Sequence, residues 1–158
     1  MSVRVGQGYD VHPFSEDPAR PLVLGGVTVD GSPGLAGHSD ADALAHACAD
    51  AVLGAAGLGD LGDHFPDTDP QWSGADSLTL LAEVVRLAAE AGWRVVNLDA
   101  TIIAERPKVG PLRPQMADRL TAVVGAPVSV KATTHEGLGA IGRGEGIACL
   151  AVALLEAD

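Results

Sequence analysis

Hydrophobic and polar positions alternate at the start of the chain, where Val3, Val5, Tyr9 and Val11 interleave with Arg4, Asp10 and His12. That period of two predicts a first strand, and Pro13 opposes its continuation as a helix. Leu22-Val-Leu-Gly-Gly-Val27 predicts a short hairpin within Pro21 to Val29, turning at Gly25-Gly26. The pattern then changes. Asp40 to Ala56 is an Ala/Leu-rich helical run, with Ser39 or Asp40 placed to cap it and Gly57 to end it. A second helix is predicted from Asp76 and Ser77 to Ala91, closed by Gly92, and a third from Pro111 to Val124 between Gly110 and Gly125. Trp93 to Glu105 and Pro127 to Thr134 read as strands. Ile147 to Leu155 is continuously apolar, so periodicity does not separate strand from helix; the glycine cluster before it favours a strand. Gly59 to Pro70, dense in Gly, Asp and Pro, reads as a loop of functional length.

This alternation predicts an α/β chain: a two-layer α+β sandwich with a mixed sheet covered on one side by helices. A chain of 158 residues suits a single catalytic domain spanning 1–158. Hydrophobic residues make up 47% but form no block long enough for a membrane span. The N-terminus shows neither a secretory h-region nor a transit-peptide composition, so a cytoplasmic location is expected, with no membrane partner. Cys48 and Cys149 lack metal-ribbon or redox spacing and read as buried thiols. A formal charge of −11 and only 3% aromatics argue against nucleic-acid binding, which needs a basic footprint or stacking platforms. An anionic small molecule is still admissible if cations and backbone N–H groups supply local positive potential.

Candidate chemistry concentrates in two places. Asp10 and His12, two apart on a strand, project to the same face, and Asp42, His46 and Asp50 repeat every four residues along one helical stripe. If stripe and strand face each other, Asp10, His12 and His46 make a donor set of the kind a catalytic zinc takes, with a coordination position left open. His38-Ser39-Asp40-Ala41-Asp42 opens the same helix at its positive end. Capping accounts for Ser39 and Asp40 but leaves His38 and Asp42 without a structural task. Thr133-Thr134-His135-Glu136, followed by Gly137, Gly139, Gly142, Arg143, Gly144 and Gly146, offers closely approaching backbone donors, hydroxyls and a guanidinium to a phosphate. It is neither a Walker loop nor a dinucleotide fingerprint. Glu136 in that setting suits a second cation bridging phosphate oxygens. Asp60, Asp63, Asp67 and Asp69 read either as solvated turn residues or as partners of a polyol, and Glu105 to Lys108 as a charged turn or a phosphate rim.

In this order the segments Gly8-Tyr-Asp10-Val-His12, His38-Ser39-Asp-Ala-Asp42 with His46, Gly59-Asp60-Leu-Gly62 with Phe65-Pro-Asp67-Thr-Asp69, Ala104 to Lys108, Lys131-Ala-Thr-Thr134 with Glu136, and Gly142-Arg143-Gly-Glu-Gly-Ile147 span nearly the whole chain. Together they resemble the 2-C-methyl-D-erythritol 2,4-cyclodiphosphate synthases of the non-mevalonate isoprenoid pathway. The resemblance implies a homotrimer whose sheets pack together, with sites between subunits. It implies zinc on Asp10, His12 and His46, and Mg²⁺ or Mn²⁺ at Glu136 with the substrate phosphates. The implied substrate is 4-diphosphocytidyl-2-C-methyl-D-erythritol 2-phosphate, a cytidine diphosphate derivative cyclised with release of CMP.

Site roles follow from the same resemblance. His38 and Thr134 would be catalytic hydrogen-bond donors. Ser39, Asp42, Asp60, Gly62, Phe65, Asp67 and Asp69 would contact substrate, as would Ala104, Lys108, Val109, Gly110, Thr133, Glu136 and Arg143. The sequence departs from the pattern at His135, where a small polar residue is expected, and at Ala140, where an aromatic one is common. Both departures bear on the nucleotide pocket rather than on the reaction. Two rival readings use the same residues differently: a zinc-dependent phosphohydrolase, and a non-catalytic trimeric isoprenoid-binding protein.

Overall fold

A computed structural model describes all residues, Met1–Asp158. Strand β1 (Ser2–Pro13) begins the chain, and a small hairpin, β2 (Leu22–Leu24) and β3 (Val27–Val29), follows. Helix α1 (Ala43–Ala56), the short α2 (Leu61–His64), and α3 (Ser77–Glu90) precede β4 (Arg94–Ile103). Helix α4 (Arg113–Val124), β5 (Val128–Thr133), the one-turn α5 (Gly139–Gly142) and β6 (Gly146–Ala157) complete the chain. The main sheet runs β1-β6-β4-β5; β6 is antiparallel to both neighbours and β4 parallel to β5, so it is mixed as expected. The continuously apolar last segment is therefore a strand, and a central one, which accounts for its near-unbroken run of buried residues. No helix is long and apolar enough to cross a membrane.

Helices cover one face of the sheet. Even-numbered residues of β1 point at α1, and the contact there is unusually close. A Cβ on Gly8 would lie 1.8 Å from the Ala47 carbonyl oxygen, and one on Gly6 would lie 2.1 Å from that of Ala51. Small residues on both elements, Gly6 and Gly8 against Ala47, Ala51 and Ala55, let backbone meet backbone. The next even positions, Asp10 and His12, consequently face the first turns of α1. The odd face is different: Val3, Val5, Tyr9 and Val11, with Val152 of β6, are largely exposed and form an uncovered apolar surface.

Helix α1 starts later than expected. Asp42, not Ser39 or Asp40, is its N-cap, accepting from Ala45 N, and Gly57 in the left-handed region ends it. Asp42 also accepts from Gly25 N at 2.8 Å and Gly26 N at 2.7 Å, pinning the β2–β3 hairpin to the helix start. It is completely buried.

Candidate metal centre

Asp10, His12 and His46 converge, with one potential ligand atom from each lying within 4.8 Å of the others. His12 Nε2 lies 2.8 Å and His46 Nδ1 3.2 Å from the same Asp10 oxygen, Oδ2. His12 Nδ1 is 2.9 Å from the Ala36 carbonyl, which only an N–H can satisfy, so Nε2 presents a lone pair to the cluster. That Nε2 is buried and has no properly angled hydrogen-bond partner. A buried lone pair without a donor, aimed at a carboxylate and flanked by a second imidazole, fits a divalent cation better than it fits a purely structural contact. Burial would raise the Asp10 carboxyl, but the two imidazoles outweigh it and hold it below its ordinary value. The close Asp10 carboxylate raises His12, against the opposing effect of burial.

These three residues line a cleft of about 580 Å³ together with His38, Ser39, Asp60, Gly62, Phe65 and Asp67, all singled out in the sequence. Asp60 caps α2 through a reciprocal pair with Asp63, so the polar 60s loop has a defined shape. Phe65 packs edge-on against Trp72, with centroids 4.9 Å apart, and supports the cleft wall. The His38-Ser39 segment is held by Arg20, whose guanidinium donates to the carbonyls of Leu35, Gly37 and Ser39.

Four expected site residues stand elsewhere. Asp42 is corrected to a structural role: both oxygens are consumed by backbone N–H groups of the fold, and no substrate reaches a fully buried carboxylate. Asp69 caps the short turn Pro70–Trp72, bonded to the Gln71 backbone and side chain, and does not line the cleft. Glu136 lies exposed on a turn, with φ of 52°, and lines neither this cleft nor the second cavity described next. Arg143 pairs with Glu145 at 2.6 Å, in a shallow depression with Glu105 and Arg106.

Ala104, Lys108, Val109, Gly110, Thr133 and Thr134 line that second cavity, of about 240 Å³, where β4 and β5 end. It shares no lining residue with the metal cleft. His38 and Thr134, the two expected catalytic donors, are thus in separate cavities of one chain. His135 turns its Nδ1 to the Leu138 carbonyl at 2.7 Å, closing the turn rather than joining the ligands.

Other residues contribute in ways that spacing did not anticipate. Asp50, recognised only as part of the helical stripe, lines the cleft and accepts from Leu61 N at 2.7 Å. Burial, with the Asp60 and Asp10 charges, raises its carboxyl despite that bond. Trp72 carries no motif. Glu105 accepts from His135 N and Gly137 N and shapes the glycine turn, which no spacing rule anticipates.

Known proteins resemble this chain in sequence and in fold. The 2-C-methyl-D-erythritol 2,4-cyclodiphosphate synthase of Thermosynechococcus vestitus is 55% identical, over 99% of this chain and 98% of its own. That of Symbiobacterium thermophilum is 59% identical, over 96% and 97%. Among solved structures, the CDP complex of IspF from Plasmodium falciparum superposes with a TM-score of 0.85 at 33% identity, covering 99% of this chain and 97% of that one. The family model that matches, over residues 3–156, is that of the YgbB family, and to that family the chain belongs.

Proposed function

We propose that this chain is a 2-C-methyl-D-erythritol 2,4-cyclodiphosphate synthase, a cytoplasmic phosphorus–oxygen lyase of non-mevalonate isoprenoid precursor synthesis. The observation that carries the reading is the Asp10/His12/His46 group at the floor of a polar cleft, in a chain whose relatives of more than 50% identity bear that name. The reaction joins an oxygen of the substrate's 2-phosphate to the β-phosphorus of its diphosphate. The bond from the β-phosphorus to the bridging oxygen breaks, and CMP leaves. No water and no protein nucleophile take part.

Asp10, His12 and His46 would hold zinc, and Glu136 a Mg²⁺ or Mn²⁺ together with the substrate diphosphate. Cations held there supply positive charge to nonbridging phosphate oxygens. That supply matters here because Asp10, Asp50, Asp60 and Asp67 all line the cleft and would otherwise repel the substrate. Asp60 and Gly62 hold the erythritol hydroxyls, with Phe65 and Asp67 beside them. His38 and Ser39 offer donors to phosphate, and Thr134 donates to developing charge on the diphosphate. Ala104, Lys108, Val109, Gly110 and Thr133, which line one cavity, form the nucleotide subsite; that a cytidine nucleotide is the ligand class is supported by the CDP complex of the solved relative. Arg143 reaches the diphosphate after leaving Glu145. Asp42 and Asp69 act only through the backbone they hold.

Two separate cavities and an uncovered apolar sheet face support a homotrimer in which one subunit's metal cleft meets a neighbour's nucleotide cavity. The decisive assay is reconstitution with zinc and magnesium on the diphosphocytidyl substrate, following CMP release and phosphorus NMR. A cyclic diphosphate is expected; inorganic phosphate or an opened phosphomonoester would establish a phosphohydrolase, and no turnover would defeat catalysis here. Mixing inactive His46→Ala and Lys108→Ala chains should restore part of the activity if sites are shared. No restoration in demonstrably mixed oligomers would refute sharing.

A further inference from the structure

His46 has a second nitrogen, and its surroundings are built rather than incidental. Nε2 lies 2.7 Å from Ser77 Oγ, contributed by the first turn of α3. Ser77 Oγ in turn donates its only proton to Asp40 Oδ1 in a short contact, and the Ser77 backbone N–H donates to Asp40 Oδ2 at 3.1 Å. Ser77 is 1% exposed, so no solvent competes for these bonds. With its proton committed to the carboxylate, the hydroxyl can only accept from the imidazole. Ser39 Oγ, 3.1 Å from the same nitrogen, receives Ala41 N–H and has Ser77 Oγ at 3.3 Å to take its own proton, which leaves it able to accept from the imidazole as well.

We infer that Ser77 and Asp40 are positioning residues that lock His46 in its Nε2–H tautomer and turn the Nδ1 lone pair onto the Asp10/His12 cluster. The inference rests on the metal reading above for its purpose; in the metal-free protein Asp10 Oδ2, 3.2 Å from Nδ1, competes for the imidazole proton, and the shorter 2.7 Å contact to Ser77 at Nε2 decides the tautomer. Hydrogen bonds to the outer nitrogen of a ligating histidine fix its tautomer and ring orientation, and their loss commonly weakens metal binding about 10- to 100-fold. The sequence hides this relay, because Ser77 reads as part of an ordinary helix start and lies far along the chain from His46.

The test is two-bond ¹H–¹⁵N spectroscopy of the metal-free protein in alkaline buffer, where free imidazole is neutral, with zinc affinity measured by chelator competition. Wild type should show His46 protonated at Nε2. Ser77→Ala should mix the tautomers and raise the zinc dissociation constant about 10- to 100-fold, while Ser77→Thr, which keeps the hydroxyl, should retain both. A wild-type His46 protonated at Nδ1 overturns the inference whether or not the variants fold. So does a folded Ser77→Ala protein with unchanged tautomer and affinity. A wild type with the Nε2–H form that binds no zinc would instead defeat the metal reading and leave the lock standing.

Discussion

Replacing Asp42 with alanine separates a fold-holding carboxylate from the substrate contact its sequence context suggests. The substitution strands three backbone donors, the buried Gly25 N at 2.8 Å and Ala45 N at 3.0 Å and the half-buried Gly26 N at 2.7 Å. At about 1–3 kcal/mol for each orphaned donor, and with a water able to occupy part of the space vacated, the loss should be about 3–6 kcal/mol. That is a large share of the roughly 5–15 kcal/mol that holds a domain together. The loss should also depend on pH, with a sign that follows from the Asp42 carboxyl. Burial, opposed by the three N–H groups, pushes it up from 3.8 to about 6. The folded state therefore binds the proton more tightly than the unfolded state, and the stability so gained is present at low pH and lost as pH rises from about 4 through 6.

Between pH 5 and pH 7.5 that linkage is on the order of 1 kcal/mol, so the alanine variant should lose about that much more, relative to wild type, at pH 5. Urea unfolding at both pH values, at one protein concentration so that any self-association contributes equally, measures the difference. A loss under about 1 kcal/mol accompanied by impaired turnover would refute this account and return Asp42 to the substrate. A gap that narrows at pH 5 would refute burial as the cause of its raised pKa.

His12→Ala or His46→Ala should abolish stoichiometric zinc binding, read by elemental analysis of purified protein, and activity with it; undiminished zinc content would place the metal elsewhere. Asp50→Ala removes the acceptor for Leu61 N that ties the 60s loop to α1. It should raise KM about 10-fold, equivalent to about 1.4 kcal/mol of binding, whereas Asp50→Asn, which keeps an acceptor oxygen, should raise it far less; equal effects would assign the role to charge. Gly8→Ala places a carbon 1.8 Å from the Ala47 carbonyl oxygen, and because the obstacle is backbone the strand must withdraw from the helix. A loss above about 4 kcal/mol is expected by thermal unfolding, and a near-neutral result would contradict the close approach.

Periodicity and punctuation made most of the fold legible. The first strand, the Gly25-Gly26 turn, the glycine-ended first and last long helices and the mixed two-layer arrangement all follow from local pattern. The metal triad was legible because strand period and helix period each place their residues on one face. Legibility failed where a side chain answers to something distant. Asp42 looked unexplained because its partners, Gly25 and Gly26, belong to a hairpin that no spacing rule joins to α1. Arg20 and Ser77 shape the site from elsewhere along the chain. Glu136 and Arg143 were grouped with the phosphate cradle by composition, but the chain leaves them outside both cavities, because a run of glycines marks a turn without marking what the turn faces.

β1 then explains why a candidate metal site and an uncovered apolar surface occur together. Its period of two gives it one face of Gly6, Gly8, Asp10 and His12 and another of Val3, Val5, Tyr9 and Val11. On the first face the two glycines set a distance. They bring α1 down to backbone contact at Ala47 and Ala51, and His46, beside Ala47, is thereby lowered to within 3.2 Å of Asp10. A side chain at either glycine would lift the helix and draw His46 away from its two partners, so under the proposed function substitutions here should weaken metal binding as well as stability. On the second face Val5 and Tyr9 lie opposite Leu154 and Leu150 of β6, with Val152 opposite Gln7 between them, leaving apolar area that a second copy of the chain can cover. Any contact that presses on that face bears on the strand that carries two of the three ligands. Substitutions at Val5 or Tyr9 that weaken assembly should therefore also loosen zinc, although neither side chain points toward it.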